Sequence, residues 1–499
     1  MNLRFAALLL SASLPLASPF STPSVPLSSS QTNTLLRSPL PFASPTDIST
    51  VSPKTTLVRN NIGNHNKPLN RHVLHMASDA AAVSTEDAGN EGASVTQLIF
   101  NLVKGIVGAG VLSLPAGIAA FANAPGGVIP AVSLIAIIGS LSAYGFALIG
   151  RCCAYTNTKS YRDAWSATVS KSSSWLPASA VTFKTVAACL SYSMILGDTF
   201  VSLLSTIGIA STKVPVTLGL TGVCLLPLCL MKNLSSLAPF SLVGSLGMIY
   251  TALAMVVRYL GKAYSATGAF GADNAVALRP KFGTVGAQGA FTPSAAIFIS
   301  MLSTAFMAHF NAPKFYNELK DKTLPKYYKV VSTSFAISIS LFALVASVGF
   351  LTFGASSNGL ILNNYSTRDS LMNLSRIAVA VSLVFSYPLA FVGARDGVSD
   401  LLKIKGTEKT QNVLTVALLS AITGIALVLP DVSFVMALAG ATLGNGLIYI
   451  FPALMYRGAI KKKPDATKGE KREVKFALGS AAAGIVMGIL GTKMALGSL

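Results

Sequence analysis

The sequence predicts an all-α membrane protein with about eleven transmembrane helices. Only 11% of its 499 residues are charged and its mean hydropathy is +0.60, whereas soluble globular proteins carry about 25% charged residues. Apolar runs of roughly 18–25 residues recur along the chain, and each is long enough to cross about 30 Å of hydrocarbon. The chain therefore divides into a signal-peptide-like segment (1–19), a transit-peptide-like, disordered segment (20–93) and a transmembrane domain (94–499).

The first segments have the composition of targeting sequences. In residues 1–19, Arg4 precedes a short apolar stretch and then small residues, and that stretch is too short to span a membrane. The following segment is rich in Ser, Thr, Pro and Asn and nearly free of acids as far as His75. Together they resemble the bipartite presequence of algae with secondary plastids and predict a plastid envelope. The alternative is a disordered tail on a vacuolar or other secretory-pathway membrane protein.

Eleven apolar runs define the predicted spans, numbered 1 to 11 in chain order. They are 95–122, 127–150, 179–205, 213–231, 238–260, 292–312, 328–353, 371–394, 411–429, 432–456 and 474–497.

The distribution of the net charge of +20 along the chain is explained by the predicted membrane topology. If span 1 starts in the cytosol, the cytosolic loops hold about 22 lysines and arginines against roughly 6 in the alternate loops, a strong positive-inside bias. The run Lys461 to Lys463 then favours a topology determinant and lipid-facing patch over a nucleic-acid site. We expect the lipid bilayer, and no nucleic acid, as the partner of this basic surface.

Seven stretches in order carry a resemblance to the amino acid/auxin permease family, covering essentially all of 95–497. They are NLVKGIVGAGVLSLP (101–115), CLSYSMILGDTF (189–200), MKNLSSLAPFSLVG (231–244), AFMAHFNAPKFYNELK (305–320), GFLTFGASSNGLILNNY (349–365), RIAVAVSLVFSYPLAFVGARD (376–396) and AGATLGNGLIYIFPALMY (439–456). The resemblance implies a LeuT-like fold of two inverted five-helix repeats (spans 1–5 and 6–10) plus an eleventh helix. It also implies broken spans 1 and 6, an amino acid substrate, an ion or proton gradient instead of a cofactor, and function as a monomer.

The glycines of span 1 independently predict a break. Three glycines fall in six residues, and each costs about 1 kcal/mol relative to alanine inside a helix. Unwound backbone is tolerated where it lines a cavity, and the free N–H groups of the next half-helix suit a carboxylate. The candidate substrate contacts here are Gly105, Ile106, Gly108, Ala109 and Gly110. The alternative is a small-residue packing face, since Gly105 and Ala109 have the spacing for helix contact. The glycine order, with no strand before it, excludes a dinucleotide-binding fingerprint.

Span 6 contains the second predicted break. The resemblance places it at 303–309, where carbonyls around Ser303, Thr304 and Ala305 could accept hydrogen bonds from a substrate ammonium group. Phe306 could cover the ligand or be a core residue. His309 is either a proton relay or a structural residue that fixes the unwound turn.

Two ionisable residues inside predicted spans are candidates for ion or proton coupling, because charges there are costly. Lys104 stands where sodium-coupled relatives have a polar uncharged residue, beside carbonyls and span 8 hydroxyls, here Ser382 and Ser386. An ammonium there would block sodium, and Lys104-Gly105 resembles proton-coupled members. Those members, however, have a histidine where this chain has Asn101.

Asp198 is the second such residue, toward the outer end of span 3. It is either a coupling residue or a structural hydrogen-bond acceptor.

The leading hypothesis is secondary active amino acid transport, proton-coupled and sodium-independent. An uncoupled or exchange-type facilitator or exporter remains the rival. An intramembrane enzyme lacks a nucleophile and base set, since His309 is the only histidine outside the N-terminal region. A channel would need a continuous polar pore, whereas the polar and glycine features concentrate at two breaks.

Overall fold

A computed structural model describes the transmembrane part of the chain. It covers residues 92–231, 238–271, 273, 275–404, 407–429 and 431–497, with the backbone alone for 238–245. Within these ranges the regular secondary structure is helical, apart from two isolated β-bridges. The predicted segments 1–19 and, up to residue 91, 20–93 lie outside the described residues.

A helix lies at the position of each predicted span. In the first half the helices are Val95–Ile106 with Leu114–Ala119 (span 1), Val128–Thr156 (span 2), Trp175–Thr206 (span 3), Lys213–Leu220 with Leu226–Leu230 (span 4) and Ala238–Leu260 (span 5). In the second half they are Ala295–Ala305 with Ala312–Asn317 (span 6), Leu324–Phe353 (span 7), Ser370–Leu401 (span 8), Glu408–Val428 (span 9), Val432–Ala439 with Phe451–Lys462 (span 10) and Lys468–Leu496 (span 11). A short helix, Tyr161–Thr168, joins spans 2 and 3.

The described helices fit a membrane protein by length and composition. Nine are long and apolar enough to cross a bilayer, and the bent pair of span 1 makes a tenth if it counts as one span. In span 5 only residues 246–260 have described side chains, so the count of eleven stays a prediction. Large apolar side chains such as Val223 (82% exposed) and Val428 (83% exposed) face outward, as lipid-facing positions do.

Side-chain caps explain where several helices begin. Ser94 and Gln97 form a capping box before span 1, and Thr467 and Glu470 form another before span 11. The second box starts span 11 at Lys468, six residues before the predicted boundary. Span 8 runs to Leu401, beyond the predicted 394, because its polar last turns stay helical outside the apolar run.

Span 8 packs mainly against spans 3 and 5, while span 7 packs against spans 1 and 2. Span 6 lies against spans 10 and 11. The first half of span 1 thus rests mainly on span 7, and span 6 is backed by the last two helices.

A cluster of charged and phenolic groups joins spans 2, 10 and 11 at the end that the positive-inside bias assigns to the cytosol. Arg151 donates to Glu473 Oε1 at 2.6 Å and to the Tyr456 hydroxyl at 2.7 Å. The Tyr456 hydroxyl donates in turn to Glu473 Oε2 at 2.8 Å. Arg151 and Tyr456 are buried, so this cluster fixes the rotation of three helices about their axes.

A buried carboxylate holds the opposite end of span 8. Asp369 is fully buried and caps the span by accepting from the backbone N–H groups of residues 371 and 372. Arg258 donates to both of its oxygens, at 2.8 and 2.7 Å, and the Tyr264 hydroxyl donates at 3.0 Å. Its charge is therefore matched within the fold.

Candidate functional site

Span 1 is interrupted at Val107 and Gly108. The α-helix ends at Ile106, a 3₁₀ turn begins at Ala109, and the two helical parts meet at 44°. Gly108 has extended backbone (φ −113°, ψ −178°). The predicted break in span 1 is confirmed.

This interruption leaves backbone groups without partners. Val107 N–H bonds to Val103 O, Gly108 N–H to Ile106 O, and Val111 N–H to Gly108 O. The N–H groups of Ala109 and Gly110 and the carbonyls of Lys104 and Gly105 consequently make no backbone hydrogen bond within the described part of the chain. The second half of span 1 therefore begins with two free N–H donors, and the first half ends with two free carbonyl acceptors.

The surroundings of the glycines argue against a packing face at Gly105. A Cβ atom on Gly105 or Gly108 would meet no other atom within 4 Å. A Cβ on Gly110, in contrast, would lie 2.8 Å from the methyl carbon of Met436 in span 10. Gly110 is therefore a close-packing glycine, while Gly105 and Gly108 border open space.

Span 6 is interrupted one turn before His309. Its helix ends at Ala305, and a 3₁₀ turn follows at His309–Asn311. Phe306 N–H bonds to Leu302 O and Met307 N–H to Thr304 O, so the ladder passes over Ser303 O. Ser303 O and Ala305 O accept no hydrogen bond from the described residues. These are two of the carbonyls that the sequence singles out.

The segments that carry the two interruptions pack against each other. The turn Ala109–Ser113 packs against the helix Ala295–Ala305. Farther along span 1, a Cβ on Gly117 would overlap the ring of Phe298. Free N–H donors suit a carboxylate, and free carbonyls suit an ammonium group. Neighbouring segments thus offer the two kinds of group that an α-amino acid needs.

The side chains of Thr304 and Phe306, at the second interruption, contact neighbouring spans. Thr304 donates its hydroxyl to Met436 O at 2.5 Å. Phe306 is fully buried, and its ring lies 4.7 Å from that of Phe342 and 6.2 Å from that of Phe335, both in span 7. Phe306 is therefore packed as a core residue, which favours that alternative over the role of ligand cover.

Asn445 in span 10 escaped the sequence analysis. It is 1% exposed and lies between two π-turns, Gly440–Gly444 and Gly446–Ile450, beyond a non-helical residue, Thr442. With its amide nitrogen toward span 6, it donates to Ser303 Oγ at 3.0 Å, and its oxygen accepts from Gly488 N–H of span 11 at 3.1 Å. Asn445 therefore links the second interruption to both helices behind it.

Gly440→Ala tests this support of span 6 by span 10. A Cβ on Gly440 would overlap Ser300 O and lie 2.7 Å from Thr304 Oγ1. We expect the variant to lose about 1–3 kcal/mol through overpacking, seen as a lower melting temperature in detergent. Gly424→Ala, where a Cβ meets no atom within 4 Å, is the control, and equal melting temperatures of the two variants would contradict the close fit.

His309 anchors the segment that follows the second interruption. It is fully buried and donates from Nε2 to Ser142 O of span 2 at 2.8 Å. Its ring packs edge-on against Phe146, and Nδ1 has no partner among the described residues. These contacts support the structural alternative for His309.

Lys104 stands at the first interruption without a partner. It lies half-buried in the last turn before Ile106 and makes no hydrogen bond or ion pair with another described residue. The side chains of Asn101, Ser382 and Ser386 likewise make no hydrogen bond with the described residues. Lys104 thus lies in the same turn as the free carbonyls, but no hydrogen bond joins it to either serine.

Asp198 pairs with a lysine at the start of span 4. Lys213 Nζ lies 2.9 Å from Asp198 Oδ1, and Asn363 Nδ2 lies 3.5 Å from Oδ2. Both partners lie toward the end of span 3 away from Arg151. This ion pair accounts for the charge of Asp198 and favours its structural alternative.

Lys184 of span 3 is a second cation that the sequence analysis missed. Its Nζ lies 4.6 Å from the ring centre of Phe310, directly after His309. It has no ion-pair partner among the described residues. Its position nine residues after Trp175, inside an apolar run, was the available signal.

A family model described as "Transmembrane amino acid transporter protein" matches residues 91–495. The chain belongs to this family. The resemblance read from the sequence is thereby confirmed, and the protein is a transport protein, not an enzyme.

Two relatives show the same kinship over most of the chain. Amino acid transporter AVT6E of Arabidopsis thaliana is 25% identical over 390 residues, 74% of this chain and 76% of that protein. Sodium-coupled neutral amino acid transporter 7 of Danio rerio is 24% identical over 393 residues, 74% of this chain and 80% of that protein.

Two solved structures share the fold. The inward-facing conformation of Mhp1 is 12% identical, covers 81% of this chain and 89% of its own, and has a TM-score of 0.54. The crystal structure of MhsT in complex with L-phenylalanine is 12% identical, covers 81% of this chain and 100% of its own, and has a TM-score of 0.50. At this identity the likeness shows the fold alone. It supports the LeuT-like fold that the resemblance implies.

Proposed function

We propose that the protein is a secondary active transporter of amino acids that works by alternating access around the interruptions of spans 1 and 6. The observation that carries this proposal is that the turn beginning at Ala109, with free N–H groups on Ala109 and Gly110, packs against the helix that ends at Ala305, with free carbonyls on Ser303 and Ala305. An α-carboxylate fits the positive end of the turn that begins at Ala109, and an α-ammonium fits the carbonyls. A single chain supplies both sets, which supports function as a monomer.

We further propose that transport is proton-coupled and independent of sodium. Lys104 supports this, because it lies in the last turn before the interruption, where the carbonyls of Lys104 and Gly105 are free, and its ammonium group has no partner in the described residues. An ammonium group offers three donors and can satisfy carbonyls that would otherwise bind a cation. Sodium-coupled neutral amino acid transporter 7 is named for the opposite coupling, so coupling has to be measured for this chain itself.

Uptake by proteoliposomes tests these proposals together. Liposomes containing the full chain would be offered a panel of radiolabelled amino acids, with and without an inward proton gradient, and with sodium replaced by choline. We expect saturable uptake of at least one amino acid that rises with the gradient and is unchanged without sodium. Uptake that ignores the gradient would instead indicate the uncoupled or exchange-type alternative, and sodium-dependent uptake would contradict the proposed coupling.

We propose that residues 1–75 route the protein to a plastid envelope. The short apolar segment and the nearly acid-free stretch behind it support this routing. Fused to a fluorescent protein in a diatom-like host, these residues should give a signal at the plastid margin. A vacuolar or plasma-membrane signal would contradict the routing and favour the secretory-pathway alternative.

A further inference from the structure

Acidic side chains of the membrane helices are already matched by cations of the fold. The pairs in spans 3, 8 and 11 are Asp198 with Lys213, Asp396 with Arg395, Asp400 with Arg162, Glu470 with Lys463 and Glu473 with Arg151. Asp369, at the start of span 8, is paired with Arg258. These carboxylates are therefore not available to other cations of the bundle.

Among the partly buried lysines of the described helices, only Lys104 and Lys184 have no carboxylate partner in the described residues. Lys104 lies in the last turn before the first interruption, and Lys184 contacts the turn after the second. The proposed proton coupling already gives Lys104, at the first interruption, a role. Lys184 has neither an ion pair nor a hydrogen bond among the described residues, and its Nζ lies over Phe310. Phe310 belongs to the 3₁₀ turn that follows the second interruption.

The depth of Lys184 makes an unmatched charge costly. Nine residues of helix place it about 13 Å from the start of span 3, and an ammonium group inside a membrane helix marks a functional site unless a partner satisfies it. A ring face attracts a cation but does not neutralise it. A counter-charge that arrives with the ligand would complete the site.

We propose that the substrate carries a second carboxylate, as aspartate and glutamate do, and that Lys184 is the residue that selects it. This inference rests on the proposed function. The α-carboxylate and α-ammonium occupy the free groups of Ala109 and Ser303, and the side chain follows span 6 from Ala305 toward Phe310. There its carboxylate meets the Lys184 ammonium. A neutral side chain of the same shape would leave that cation unmatched, so specificity comes from charge.

Glutamate and glutamine are an isosteric pair that isolates this charge. Wild-type proteoliposomes should accumulate glutamate at least about tenfold better than glutamine, since loss of one partner of a desolvated charge pair is costly. Lys184→Met, which keeps the apolar stem, should lower glutamate uptake and leave glutamine uptake unchanged, so that the preference collapses. Lys184→Arg restores the charge and should recover most of the preference.

Lys329→Met is the matched control, because Lys329 is an exposed lysine near the start of span 7 and belongs to neither interruption. It should keep the wild-type preference, and size-exclusion profiles should show that all variants fold. The inference is overturned if the wild type takes glutamine as well as glutamate, or if Lys184→Met lowers both equally. Uptake of other amino acids alone would overturn it while the proposed function stands, and no amino acid uptake at all would overturn both.

Discussion

Gly108→Leu is expected to abolish amino acid uptake while leaving the protein folded. Gly108 has extended backbone that any residue adopts, and a Cβ there meets no other atom within 4 Å, so a side chain can start at this position without backbone strain or overlap at Cβ. The leucine side chain would fill the open space beside the free N–H groups of Ala109 and Gly110. Uptake in proteoliposomes should fall to the level of empty liposomes, with an unchanged melting temperature.

Gly424→Leu is the matched control for this change. Gly424 in span 9 also has open space around its Cβ position, and it lies outside both interruptions. It should transport at the wild-type rate. Wild-type uptake by Gly108→Leu would show that the open space is not the substrate site, and the proposed function would lose its central observation.

Lys104→Ala is expected to remove proton-driven accumulation while much of the substrate exchange across the membrane persists. Lys104 has no hydrogen bond or ion pair with a described residue and lies in the same turn as the free carbonyls of the first interruption. Ionisable groups inside membrane helices mark proton and ion pathways, so we expect Lys104 to load and release the coupling proton as its surroundings change. The measurement compares accumulation driven by a proton gradient with counterflow exchange in the same proteoliposomes.

Two further variants sharpen this comparison. Lys104→Asn, which places a polar uncharged group beside the carbonyls, should allow weak stimulation by sodium. Lys329→Ala, at an exposed lysine, should change neither accumulation nor exchange. If Lys104→Ala leaves gradient-driven accumulation intact, or if the wild type requires sodium, Lys104 is not the coupling group.

Both interruptions could be placed from the sequence, the first from local composition and the second from the family resemblance. Glycines that weaken a helix lie within six residues of one another in span 1, and their effect is local, so the break at Val107 and Gly108 follows from composition. The family resemblance located the second interruption to within a few residues. Both predictions rest on a short stretch of sequence and need no knowledge of contacts between spans.

The sequence could not show which polar residues already have partners. The pairing of Asp198 with Lys213 joins two spans, and the bond from Asn445 to Ser303 crosses 142 positions of the chain. Phe306 reads equally well as a ligand cover or a core residue until the rings of span 7 are seen around it. Such contacts depend on helix packing, which the apolar pattern of a membrane span specifies weakly.

The two π-turns of span 10 make the orientation of its side chains depend on the number of residues in the span. Each accommodates one residue more than an α-helical turn, so deleting a residue from Gly446–Ile450 would restore a regular helix and rotate everything beyond it by about 100°. Tyr456 would then turn away from Arg151 and Glu473, although both would still be present. The extra residue after Asn445 thus sets the rotation of the Arg151 cluster, at the end of span 10, relative to the Asn445 amide at its middle. A single-residue deletion here would separate these two sets of contacts, whereas a loop would absorb it.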